Sequence, residues 1–191
     1  MRGRAALTGL ALTLLLLAGC GDDDADADAP TRKSSSSPST PTSQAPAQPT
    51  VTPAAGPVIG DDVLQLNLVE GIDWRLVGAD AATKRIDAGV VSVVIGSLLD
   101  ANVVDPDHNY YADGVEETYR TDGYRTQRLG NRDVAGVESW VVEARRGEER
   151  AYTVGGSRAG YAWDITFVVP VNLAEADDSI DSMLASVAWK V

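Results

Sequence analysis

The side chains with the most capacity for chemistry sit in a few places along the 191 residues. Asp105-Pro106-Asp107-His108-Asn109 gathers two carboxylates, the only imidazole and an amide within five residues. Such a set could ligate a divalent cation or move a proton. The same residues are also what a turn and a helix N-cap require, because Asx side chains around a proline accept from free backbone N–H groups. For Asp105, Asp107 and His108 the capped turn is the simpler account. Tyr110-Tyr111 follows directly. Neighbouring helical residues cannot both face a core, so one of this pair should lie at the surface and offer a binding edge. Trp74, Trp140, Trp163 and Trp189, with Tyr110, Tyr111, Tyr152 and Tyr161, could line an apolar ligand cavity, although core packing is the default role.

Several chemistries lack their parts. A Ser-His-Asp set would have to use His108, and no Gly-x-Ser-x-Gly elbow occurs. Gly155-Gly156-Ser157-Arg158-Ala159-Gly160 has neither the spacing nor the lysine of a phosphate-cradling loop and reads as a hairpin turn. One Cys excludes a disulfide scaffold and a Cys-based zinc cluster. A formal charge of −12, from 16 Lys+Arg against 28 Asp+Glu, argues against nucleic acid as a partner, since phosphate contacts need clustered cations. No catalytic set and no cofactor are implied.

The single Cys has its own context. Arg2 and Arg4 precede the short apolar run Leu7 to Ala18, which is too short to cross a ~30 Å hydrocarbon core. The run ends in Leu17-Ala18-Gly19-Cys20. This resembles the bacterial lipobox, which implies cleavage between Gly19 and Cys20, diacylglyceryl thioether formation on Cys20, and an anchor of two or three acyl chains (palmitate among them). The composition, rich in Ala, Asp, Val and Arg with only Lys33, Lys84 and Lys190, looks actinobacterial. In such cells the anchor lies on the extracytoplasmic face of the cell membrane.

Residues 1–19 are thus expected to be a signal peptide, and residues 20–57 a lipidated Cys followed by a tether. Seven of the nine prolines fall between Pro30 and Pro57, beside an Asp run (22–28) and a Ser/Thr-rich tract, with no aromatic residue. Such a segment cannot bury enough apolar surface to offset its chain entropy, so it should stay disordered as a spacer.

All eleven aromatics lie in residues 58–191, which should form one domain carrying 23 acids and 12 bases. Alternation predicts strands over Val63–Val69, Ile72–Val77 and Gly89–Gly96, the last two separated by a polar turn. Tyr111, Val115, Thr118 and Tyr119 predict a helix ending near Gly123. Four strands follow, over Tyr124–Leu129, Val134–Ala144, Glu148–Val154 and Tyr161–Val169, with turns at Arg145-Arg146-Gly147 and Gly155-Gly156-Ser157. In the last strand Tyr161, Trp163, Ile165, Phe167 and Val169 share a face. A final helix, capped by Asp177 or Asp178, shows the stripe Ile180, Met183, Leu184, Val187. The fold class is α+β, a mostly antiparallel sheet with helices packed on it.

Gly71-Ile72-Asp73-Trp74 among the opening strands, the mid-domain helix, Ala135-Gly136-Val137 opening a long hairpin, and Ile180 to Ser186 before a final strand together resemble the PsbP-like α/β/α sandwich. Small actinobacterial lipoproteins of the LpqN type are similar in plan. The resemblance implies a binding or accessory module for a larger assembly. The leading expectation is therefore a membrane-anchored, non-enzymatic module that binds an envelope protein. One alternative is a carrier of a lipid or other apolar small molecule, which an interior cavity above ~300 Å³ would favour. The other is a metal-dependent hydrolase around Asp105, Asp107 and His108.

Overall fold

The computed structural model describes residues 51–86, 89–99 and 108–191. The signal peptide, Cys20, most of the tether, Asp105 and Asp107 lie outside the described residues, and His108 is described only as the first backbone position of a helix. Chain order is β1 (Val58–Gly60), β2 (Leu64–Asn67), β3 (Arg75–Leu76), β4 (Ala81–Ile86), β5 (Gly89–Leu99), α1 (His108–Thr121), β6 (Arg125–Val134), β7 (Val137–Arg146), β8 (Glu149–Arg158), β9 (Tyr161–Pro170), α2 (Ala176–Ala185) and β10 (Ala188–Trp189). The fold is α+β, and every strand pairing is antiparallel.

Seven strands form one sheet in the order β3-β4-β5-β9-β8-β7-β6, and β1-β2-β10 form a small second sheet. Because side chains alternate, the large sheet has two faces. Its inner face carries Val93, Ile95, Val141, Val154, Ile165 and Phe167, which pack against Leu64, Leu66 and Leu68 of the small sheet and Ile180, Met183 and Leu184 of α2. Its outer face carries Trp140 and Val142, on which Ala112, Tyr111, Val115 and Tyr119 of α1 rest. Gly114 is exposed and does not break α1; the Thr118 hydroxyl donates to its carbonyl.

Several local expectations need correction. The polar stretch before Gly89 is not a turn but β4, whose Ala82 pairs with Val93 across β5; strand pairing here outweighs weak intrinsic preference. The strand over Ile72–Val77 shrinks to Arg75–Leu76, because Trp74 turns inward and its indole donates to the Val69 carbonyl at 3.1 Å. Gly155-Gly156-Ser157 is not a turn but part of the C-terminal half of β8; the chain reverses at Ala159-Gly160. Neither Asp177 nor Asp178 caps α2. Its N-cap is Glu175, with φ of 65° and no side-chain cap, and the Asp177 carboxylate accepts from Arg150 at 2.6 Å instead.

Two features fix the layers. Ala135 (φ 49°) and Gly136 (φ 82°) close the β6–β7 hairpin with a turn whose handedness matches strand twist. Buried Glu143 on the inner face pairs with Arg145 and Arg150, and Arg150 continues to Asp177, tying β7 and β8 to α2. On the outer side Arg128 of β6 holds Asp113 and Glu116 of α1 at 2.7 and 2.9 Å. The chain just ahead of Val58 is also held: the Ala54 amide donates to the Ser182 carbonyl at 2.9 Å, and the Ser182 hydroxyl donates to the Thr52 carbonyl at 2.8 Å.

Candidate functional site

Among the residues singled out from sequence, Tyr110 is 74% exposed on α1, and its ring meets that of Tyr111 edge-on at 5.4 Å. Tyr111 itself is half-buried against the Trp140 cluster. Among the described residues no three His, Cys, Asp or Glu side chains come together as a metal site. Trp163 is core, packed edge-on against Trp189 at 5.0 Å.

A different constellation emerges from the sheet register. Gly96 of β5 faces Asp164 of β9, Asp164 faces Gly155 of β8, and Gly155 faces Trp140 of β7. These four residues form one row across the strands on the outer face, with Asp164 and Trp140 two strands apart, roughly 10 Å. Each large side chain lies over a glycine. A Cβ on Gly155 would come within 2.3 Å of Trp140 Cζ2, and a Cβ on Gly96 within 2.9 Å of Asp164 Oδ1. The glycines therefore make the floor on which the indole and the carboxylate lie.

Above this row, between α1 and strands β5 and β9, is an open cleft of about 300 Å³ whose lining includes Leu98, Tyr111, Val115, Trp140, Ala162 and Asp164. Its walls are mostly apolar. Two of its polar groups are poorly matched. Trp140 is 2% exposed, and its Nε1–H has no hydrogen-bond partner among the described residues. Burial pushes the Asp164 carboxyl up to about 6; the Thr166 hydroxyl lowers it slightly and the negative charge of Asp61 raises it further. That Thr166 contact is long, at 3.4 Å, and no cation pairs with Asp164 among the described residues.

Asp61, by contrast, is well provided for. Burial raises its carboxyl, but hydrogen bonds from the Ser97 hydroxyl and the Leu64 and Val63 amides, with Lys190 nearby, leave it below the usual range. It is a structural cap at the start of β2, whereas Asp164 is a carboxylate without such support.

The outer face beyond the cleft is open. α1 lies over β6, β7 and β8. On the β5 side Val90, Val94 and Leu98 are exposed, Leu98 at 64%. A second space, about 160 Å³, lies on the inner side near the start of α2, where Trp74, Ile86, Val91, Leu173, Ile180 and Met183 contribute apolar walls.

Sequence reasoning expected one of Tyr110 and Tyr111 at the surface without choosing between them, and it missed Asp164, Gly96 and Gly155. The signal that could have found them is glycine inside a strand pattern, which marks the close approach of another group.

The architecture defines an α+β protein with an antiparallel sheet covered on its inner face and partly covered on its outer one. Among solved structures the chain is similar to the cyanobacterial PsbP (CyanoP) of Synechocystis sp. PCC 6803, at 13% identity and a TM-score of 0.47, over 78% of this chain and 99% of that one. It is also similar to a protein of Bacteroides thetaiotaomicron VPI-5482, at 10% identity and a TM-score of 0.45, over 71% of this chain; it spans about half (49%) of the length of that protein. No family model matches the chain, and no curated protein matches it.

Proposed function

We propose that this chain is a lipoprotein held on the extracytoplasmic face of the cell membrane through Cys20, and that its α+β domain is a non-catalytic module that binds another envelope protein. The anchor reading rests on the lipobox-like Leu17-Ala18-Gly19-Cys20 behind a charged and apolar leader. The binding reading rests on one observation: the part of the sheet's outer face beyond α1 presents Val90, Val94 and Leu98 of one strand to solvent. An antiparallel sheet that faces water ordinarily shows polar residues there. Three exposed aliphatic side chains along one strand are more than a solvated face needs and suit a docking surface.

Site-specific photo-cross-linking on intact cells tests the binding role. A cross-linker at Val94 or Leu98 should trap a discrete adduct, and one at Val58, equally exposed but on the small sheet, should not. Identical patterns from all three positions would contradict the assignment. Metabolic labelling with an alkynyl palmitate analogue tests the anchor: label should enter the chain and be lost in Cys20→Ala.

A carrier role has one specific support, the apolar space beside Trp74. At about 160 Å³ it falls short of the ~300 Å³ that a typical small-molecule site needs. Native mass spectrometry of the chain from its own membrane decides it. A fixed extra mass of several hundred daltons beyond the acyl anchor would favour the carrier, and its absence the protein-binding module.

A further inference from the structure

We propose that the cleft over the Gly96–Asp164–Gly155–Trp140 row is a binding site for a small organic ammonium ion, with Asp164 as counter-charge and the Trp140 and Tyr111 rings as its aromatic walls. The argument begins with what the cleft lacks. Asp164 is partly buried, and a carboxylate set among apolar walls ordinarily has a cation or several N–H donors to offset its lost hydration, as Asp61 does on the other side of the sheet. Asp164 has only a long contact with Thr166, itself engaged with Thr153 at 2.9 Å. Yet the backbone accommodates this side chain at the expense of side chains on its neighbours, since any residue but glycine at position 96 would crowd its Oδ1.

The complement to this charge is positive. Among the described residues the lining brings one carboxylate and no second acidic side chain, which does not suit a metal ion. An ammonium ion does. Aromatic faces attract cations through the ring quadrupole, most strongly when water is excluded, and Trp is the best of them. Trp140 is buried and leans over Gly155, the position next to Asp164 across the strands, while Tyr111 comes down from α1. Leu98, Val115 and Ala162 leave room for methyl or methylene groups around the charged nitrogen. A space of about 300 Å³ matches the small end of ligand sites.

This goes beyond the docking role and stands apart from it, because cross-linking at Val94 and Leu98 reads a different surface from a ligand held at Asp164. The test is an NMR titration of the full ¹⁵N-labelled chain in dodecyl maltoside micelles, at a pH near 8, following the four indole N–H signals. The probes are choline and its uncharged isostere 3,3-dimethylbutan-1-ol. Choline should move the Trp140 signal, assigned through Trp140→Phe, with millimolar affinity and at least about tenfold more tightly than the isostere. Asp164→Asn should lose that preference while keeping its folded spectrum, since the substitution removes a partly buried charge rather than a packed group. Equal affinity for the two probes, unchanged choline affinity in Asp164→Asn, or no movement of the Trp140 signal by choline would each overturn the proposal.

Discussion

The two faces of the seven-stranded sheet are built on different principles. The inner face is closed: Phe167, Ile165, Val154 and Val141 are buried under the small sheet and α2, and its one buried carboxylate, Glu143, is held by two arginines. The outer face is half open. α1 covers Trp140 and Val142, while Val90, Val94 and Leu98 remain exposed and Asp164 is partly buried without a cation among the described residues. Comparing Glu143 with Asp164 is the most instructive case. Glu143 on β7 is buried and Asp164 on β9 is partly buried, but among the described residues only Glu143 has cationic partners. Stability is concentrated on the inner face, and the outer face retains features that a folded core alone would not favour.

Substitutions on each face separate these roles. The largest loss is expected from Phe167→Ala, whose ring is fully buried on the inner face; urea unfolding should show a drop of about 3–5 kcal/mol. Next comes Gly155→Ala. Its Cβ would meet Trp140 Cζ2 at 2.3 Å and the Trp163 carbonyl at 2.6 Å, and the second contact is backbone that cannot rotate away. A loss of about 2–3 kcal/mol is expected, with a shifted Trp140 indole signal. Arg150→Met leaves Glu143 with Arg145 alone and frees Asp177, so thermal unfolding should report a loss of about 2 kcal/mol. Leu98→Ser should change stability by less than about 0.5 kcal/mol, because the side chain is mostly in solvent. If Leu98→Ser cost as much as Arg150→Met, the outer face would be structural and the contrast would fail.

Much of the inner face was legible in the sequence, because its signals are periodic. Trp163, Ile165, Phe167 and Val169 alternate with less apolar neighbours, and Ile180, Met183, Leu184 and Val187 recur at helical spacing; all eight are buried. The outer face was harder to read for a physical reason. Asp164 occupies an outward slot of β9, where a carboxylate ordinarily means a solvated side. Its burial depends on Gly96, Trp140 and α1, which are distant in sequence. Gly155-Gly156 read as a turn because glycine supplies turn conformations, yet here it serves as floor space for indoles on both faces, Trp140 over Gly155 and Trp163 near Gly156. That one of Tyr110 and Tyr111 must turn outward was legible, because two adjacent aromatics on a helix cannot share one direction, but which one was not.

The most direct test of the contrast between the faces is the pH dependence of urea stability in wild type and Asp164→Asn. The Asp164 carboxyl titrates at about 6 in the folded chain against an ordinary value of 3.8. The folded state therefore holds its proton more tightly than the unfolded state. Wild-type stability from this group is full below about pH 4 and declines as pH rises through 6. Asp164→Asn should be more stable than wild type at pH 8 by on the order of 2 kcal/mol, and the two should converge by pH 4. Equal stabilities at pH 8 would mean that Asp164 is as well supported as Glu143, and the outer face would hold no unmatched charge.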